Sequence, residues 1–167
     1  YVKDTKWWEP NAPKYTYALT KQIELGGLTF GVVGLGKIGW HAARIAQGFG
    51  MKVISYNRHV KTGPEYNFIE QVSLDELLAR ADVISLHTPL NASTRYMINR
   101  DSIAKMKDGV ILINTARGSL VDEDALVEAL QSGKIYAAGL DVISEEPPTR
   151  PLPILQQANA TVTGHIA

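Results

Sequence analysis

The sequence predicts an α/β fold: a doubly wound parallel sheet in a three-layer α/β/α arrangement. Three observations carry that expectation. Short β-branched, apolar runs recur six times along the 167 residues, and segments with helical spacing of apolar side chains separate them. The first run, Thr29–Val33, passes directly into Gly34-Leu35-Gly36-Lys37-Ile38-Gly39, a Gly-x-Gly-x-x-Gly turn that opens a helical segment. Strands that alternate with helices need crossover connections, and crossovers make neighbouring strands parallel.

The elements follow in order. After the strand Thr29–Val33, a helix is expected over Ile38–Phe49, and each glycine between them has its own task. Gly34 permits a tight turn, Gly36 brings backbone close to a pyrophosphate, and Gly39 lets the helix pack on the strand, the Rossmann-type pattern. Phosphates then sit at the helix N-terminus, where free N–H groups and the helix dipole favour negative charge. The second strand is expected over Lys52–Tyr56. Ser73-Leu74-Asp75-Glu76 reads as a capping box for a helix ending at Arg80, which leads to a third strand, Asp82–Leu86. A helix over Asp101–Met106 precedes the fourth strand, Val110–Asn114. Asp122 is an N-cap and Gly133 a stop for the helix Asp122–Gln131, which feeds the fifth strand, Tyr136–Leu140. The proline-rich segment Glu146–Pro153 leads without a helix to the sixth strand, Thr161–Thr163. Six such strands are expected in the order 3-2-1-4-5-6, with ligand at their carboxyl ends where the order reverses.

Residues 29–167 therefore form the expected dinucleotide-binding domain. Residues 1–28 differ: Trp7, Trp8, Tyr15 and Tyr17 are scattered among Pro10, Pro13 and charged residues without periodicity. They read as a connecting segment that packs on this domain or on a second, substrate-binding one absent from the chain.

Bulk properties exclude several classes. Seventeen Lys and Arg balance seventeen Asp and Glu, so net charge points to neither a nucleic-acid nor a membrane partner. The chain has no cysteine, hence no disulfide and no thiolate metal site, and no metal is expected. No apolar run approaches the roughly 18 residues of a membrane span. With no signal-peptide organisation at Tyr1-Val2-Lys3-Asp4 and no initiator Met, a piece of a longer cytoplasmic protein is expected.

Chemistry concentrates beyond three strands. Arg117 follows the fourth in Asn114-Thr115-Ala116-Arg117-Gly118, Glu146 follows the fifth, and His165 follows the sixth. In the expected order these strands are neighbours, so an arginine, a carboxylate and a histidine converge where a nicotinamide ring should lie. Hydride exchange between a nicotinamide and a carbonyl needs a proton to enter or leave the oxygen, a task suited to histidine. A nearby carboxylate favours the imidazolium form. Arginine grips a substrate carboxylate with its two-pronged fork and polarises the reacting carbonyl. The trio specifies a 2-oxo acid and its 2-hydroxy acid.

The chain resembles the cofactor domain of the D-isomer-specific 2-hydroxyacid dehydrogenases. The resemblance rests on Gly34-Leu35-Gly36-Lys37-Ile38-Gly39, His87-Thr88-Pro89-Leu90, Asn114–Gly118, Gly139-Leu140-Asp141-Val142 with Glu146-Pro147, and His165. It implies catalytic roles for His165 as acid/base, Glu146 as its partner and Arg117 as substrate anchor. It also implies that Asp141 contacts the nicotinamide carboxamide and that Thr88, Pro89, Thr115 and Ala116 line the cofactor. Pro- and aromatic-containing upstream segments similar to those of glycerate or hydroxypyruvate reductases favour that substrate. Relatives commonly dimerise through this domain, so a homodimer is expected. They complete the substrate site with a second domain, so this piece alone is expected to bind dinucleotide without turnover.

Two positions depart from the family pattern. Where an NAD-preferring site carries an acid at the end of the second strand, this chain has Asn57, followed by Arg58, His59 and Lys61. An acid would repel a 2′-phosphate, whereas Arg58 can pair with one, so NADP is favoured over NAD. Gly164 stands where relatives carry proline, and its freedom loosens the approach to His165. His87 reads equally as a cofactor contact or a turn histidine, His41 as exposed, and Asp82 as a cap or ion-pair partner. Two other functions compete: a dinucleotide-sensing regulatory module of the same fold, and a formate dehydrogenase, which typically has glutamine where Glu146 stands.

Overall fold

The structure, a computed structural model, describes residues 22–167. Its elements run β1 (Thr29–Val33), α1 (Lys37–Gly48), β2 (Lys52–Tyr56), β3 (Ile69–Gln71), α2 (Leu74–Arg80) and β4 (Val83–Leu86). They continue with α3 (Arg100–Ala104), β5 (Val110–Asn114), α4 (Glu123–Ser132), β6 (Ile135–Leu140) and β7 (Ala160–Val162). The strands form one parallel sheet in the order β3-β2-β1-β4-β5-β6-β7.

That order corrects the sequence reading. A seventh strand, Ile69–Gln71, takes the edge beside β2. The run Asp82–Leu86, expected beyond Lys52–Tyr56, instead supplies β4 and pairs with β1 through Phe30↔Val83 to Val33↔Leu86. Ile69-Glu70-Gln71 has one apolar residue in three, too short an alternation to register as a strand. The sheet order therefore reverses between β1 and β4.

Side chains alternate between two faces, as strand geometry requires. Val32, Val53 and Val83 pack with Ala43 and Ala46 of α1, while Val33, Ile54 and Ile84 pack with Leu77, Leu78 and the apolar side of α4. Two helical layers thus sandwich the sheet. The link from β6 to β7, expected to lack a helix, contains the 3₁₀ turn Pro153–Gln156, and its Leu152 and Ile154 complete the second cluster.

Helix starts mix expected and unexpected devices. Ser73 Oγ accepts from Glu76 N at 3.2 Å, but the Glu76 carboxylate turns to Arg80 at 2.7 Å, so only half of the expected capping box forms. A full box closes instead between Asn99 and Ser102 ahead of α3. Asp122 Oδ1 accepts from Ala125 N at 3.2 Å, and Gly133 ends α4 in the left-handed region at φ 78°. Within the segment before β1, Gly27 N–H donates to Gly50 O at 3.0 Å and Leu28 packs on the α1 cluster. Trp7, Trp8, Tyr15 and Tyr17 lie outside the described residues. No helix among the described residues is long and apolar enough to cross a membrane.

Asp82 joins the amino ends of the central strands. Its carboxylate accepts from Thr29 N and from Lys107 Nζ, each at 2.8 Å. Burial pushes its pKa up, but Lys107 and the Thr29 N–H outweigh that and hold it below the usual range. A depressed folded-state pKa contributes stability above the ordinary carboxylate range and loses it as pH falls through the folded value. Asp82→Ala is expected to cost about 1–3 kcal/mol at neutral pH. In urea titrations that gap should close in acid; a pH-independent gap would show that the carboxylate's charge is immaterial.

Candidate active site and cofactor cleft

The glycine turn joins β1 to α1 in a conformation few residues could replace. Gly34 has φ +98°, and a Cβ there would lie 2.8 Å from the carbonyl carbon and oxygen of His87 and 2.9 Å from Thr88 N. The carboxyl ends of β1 and β4 are therefore in backbone contact at the point where the sheet order reverses. A Cβ on Gly39 would meet Gly34 O at 2.2 Å, so α1 rests directly on the turn. Gly36 N-caps α1 without a side-chain cap, and the position of its missing Cβ is open for 4 Å. Free first-turn N–H groups beside open space fit a dinucleotide's pyrophosphate.

Two clefts flank the His87–Pro89 loop. The larger, about 580 Å³, is lined by Gly34, Gly36, Asn57, Arg58 and Lys61 among others. The second, about 420 Å³, is lined by Ile38, Thr115, Ala116 and Arg117, and His87, Thr88 and Pro89 face both. Lys37 lines a third hollow with Trp40 and His41, which shares Gly36 and Lys61 with the larger cleft. Asn57 is committed internally: Oδ1 accepts from Leu35 N and Nδ2 donates to His59 O, both at 2.8 Å. It ties the end of β2 to the glycine turn. His87 Nε2 lies 2.9 Å from Ser85 Oγ, and burial pushes its pKa down, so its ring is a neutral wall between the clefts.

The structure brings Glu146 and His165 together. His165 Nδ1 lies 2.6 Å from Glu146 Oε2, and Glu146 Oε1 accepts from Ile143 N at 2.8 Å. Burial pushes the Glu146 pKa up, but the Ile143 N–H and His165 outweigh it and hold the carboxyl below its usual range. The backbone at His165 is left-handed, φ +56°, and its N–H donates to Asp141 O at 3.0 Å. The buried Asp141 carboxylate accepts from Thr163 Oγ1 at 2.5 Å, Ile166 N at 3.0 Å and Ala167 N at 2.8 Å. Those three bonds hold the Asp141 carboxyl below its usual range. The residues on either side of Gly164 are thus bonded to β6 and its end, which restrains the segment whose looseness the glycine suggests.

Arg117 stands apart from that pair. It is exposed on the wall of the second cleft, with Nη1 donating to Ala116 O at 2.6 Å, and it forms no hydrogen bond or ion pair with Glu146 or His165. Its loop is built by Asn114, whose buried carboxamide donates to Arg117 O and accepts from Ala116 N at 3.0 and 3.1 Å. Gly118 packs the same loop on the neighbouring strand end, since a Cβ there would lie 1.8 Å from Ile143 O. Sequence reasoning missed the roles of Asn114, Gly118 and Thr163; the first two lie within the Arg117 motif, which was their available signal.

A sheet that reverses at a glycine turn, with a histidine–carboxylate pair beyond neighbouring strand ends, defines a dinucleotide-binding domain of the oxidoreductase class. The chain matches the family described as D-isomer specific 2-hydroxyacid dehydrogenase, NAD binding domain, over residues 1–167, and it belongs to that family. A hydroxypyruvate reductase from Thermotoga maritima is 50% identical over 156 residues, covering 92% of this chain and 50% of the relative. A glyoxylate reductase from Paecilomyes thermophila superposes with a TM-score of 0.85 at 42% identity, covering 99% of this chain and 48% of that one. D-Lactate dehydrogenase from Aquifex aeolicus, complexed with NAD and lactic acid, gives a TM-score of 0.83 at 42% identity, covering 90% and 50%. The chain thus spans about half the length of these relatives.

Gly118→Ala is expected to be severely destabilising, by about 3 kcal/mol or more, because the added methyl meets backbone that no rotamer change can clear. Thermal unfolding measures it; a change in melting temperature of less than a degree or two would show that the two loops do not depend on this contact.

Proposed function

We propose that the whole protein interconverts a small 2-oxo acid and its D-2-hydroxy acid, of the hydroxypyruvate and glycerate kind, and that this chain supplies the cofactor site and the reacting residues. The observation that carries the reading is the 2.6 Å contact between His165 Nδ1 and Glu146. A bound nicotinamide dinucleotide would accept or donate the hydride. Glu146, held ionised, orients the ring and engages Nδ1, leaving Nε2 to give a proton to the carbonyl oxygen in reduction and take it back in oxidation. Arg117, tethered among the described residues only to Ala116 O, can fork onto the substrate carboxylate.

The proposed cofactor contacts follow the clefts. Gly34, Gly36, Lys37, Ile38 and Gly39 surround the pyrophosphate position, and Thr88, Pro89, Thr115 and Ala116 line the way to the reacting end, with His87 between. Asp141 has three of its roughly four acceptor positions taken, leaving one toward a carboxamide. Asn57 offers no negative charge at the ribose, and Arg58 is exposed on that cleft; both support acceptance of NADP alongside NAD. The rest of the substrate site is assigned to the half of the protein absent here, with 1–28 as the connection and 29–167 as the cofactor domain. A cytoplasmic homodimer is part of the same proposal. The intact His165–Glu146 pair argues against a purely dinucleotide-sensing module.

In the full-length protein, His165→Ala is expected to lower kcat by about 10²–10⁴-fold while dinucleotide affinity is kept. Arg117→Ala should mainly raise the substrate KM, and the 167-residue chain alone should bind dinucleotide without turnover. Steady-state kinetics on a panel of 2-oxo acids checks all three. Undiminished kcat without His165, or robust activity from the isolated chain, would overturn the assignment.

A further inference from the structure

The segment that carries Arg58, His59 and Lys61 has little secondary structure, yet its backbone is clamped at two points. Asn57 Nδ2 donates to His59 O at 2.8 Å. At the far end, Gln71 closes a reciprocal pair with one residue: Lys61 N donates to Gln71 Oε1, and Gln71 Nε2 donates to Lys61 O, both at 2.7 Å. Gln71 is the last residue of β3, paired with Ser55 of β2, so a rigid strand edge holds the loop. Arg58, inside the first clamp, and Lys61, held by the second, line the larger cleft beyond the end of β2; Lys61 also borders a neighbouring hollow with Glu65, and no carboxylate among the described residues is ion-paired with either cation.

We infer that Gln71 is a positioning residue for cofactor selection: by fixing the Lys61 backbone it pre-forms a two-cation cradle for a phosphate monoester on the adenosine ribose. The inference rests on the proposed acceptance of NADP. A cradle held in place before binding avoids the ordering cost that a free loop pays when two long cationic side chains are immobilised. A cofactor without the 2′-phosphate has nothing to gain from the cradle. Gln71 therefore controls the ratio of the two affinities, not dinucleotide binding as such.

The test titrates NADPH and NADH into the 167-residue chain and its Arg58→Ala, Gln71→Leu and Gln71→Met variants, with dissociation constants from calorimetry. Wild type should bind NADPH at least as tightly as NADH. Arg58→Ala should remove that preference. Gln71→Leu should weaken NADPH by about tenfold and NADH by less than about twofold. In a Lys61→Ala background the effect of Gln71→Leu on NADPH should shrink, because the two act on one cradle. If Gln71→Leu does not fold, Gln71→Met carries the test: it keeps the length of the side chain, loses both bonds to the Lys61 backbone without adding a charge, and should show the same selective loss. Wild-type preference for NADH by tenfold would sink the NADP reading itself. A wild type that prefers NADPH, loses this with Arg58→Ala and keeps it in the folded Gln71 variants would overturn the role of Gln71 alone. Equal weakening of both cofactors would also overturn it, as a structural effect.

Discussion

The site depends on one steric constraint: the backbone of Gly34 lies against that of His87 and Thr88 with no room for a side chain. That contact sets the depth of the crevice between β1 and β4, and other features are built on it. Gly39 seats α1 on the Gly34 carbonyl, which aims the helix N-terminus into the crevice. Asn57 brings the end of β2 to the same turn through Leu35 N, so the strand end and the glycine turn are fixed relative to each other. A larger residue at 34 would displace the wall common to both clefts, not just the turn.

The reacting side is assembled differently, by polar ties between loops that follow β5, β6 and β7. Ile143 serves two partners: its N–H holds Glu146, and its carbonyl abuts Gly118. Asp141 spends its carboxylate on the segment from Thr163 to Ala167 and its backbone carbonyl on His165 N. The histidine is thereby held from two sides, by Glu146 at the ring and by Asp141 at the backbone. Among the described residues the Arg117 guanidinium is tied to Ala116 O alone, so it is held less firmly than the histidine.

Legibility in the sequence followed the length and period of the signal. β1, β2, β4, β5, β6 and β7 all appear as apolar runs, and the glycine turn declares its ligand because its three small residues sit at a strand–helix junction. β3 did not appear, because Ile69-Glu70-Gln71 is brief and mostly polar. Its omission shifted Asp82–Leu86 to the wrong side of the sheet, away from the centre of the crevice that His87 borders. The pairing of Glu146 with His165 was readable from strand adjacency. The functions of Asn114, Gly118 and Gln71 were not, since each depends on which backbone group the fold brings near, and no local spacing encodes that.

The most direct test of the central claim, that the dinucleotide lies across the β1/β4 reversal with its reacting end toward β5–β7, is an NMR titration of the isotopically labelled chain with NADPH and NADH. The account predicts the largest amide shifts at Leu35–Gly39, in the His87–Pro89 loop and at Thr115–Arg117, with smaller ones near His165. Shifts concentrated instead at the opposite end of the sheet, around Thr29, Lys52 and Phe68, or no shifts with either cofactor, would contradict it.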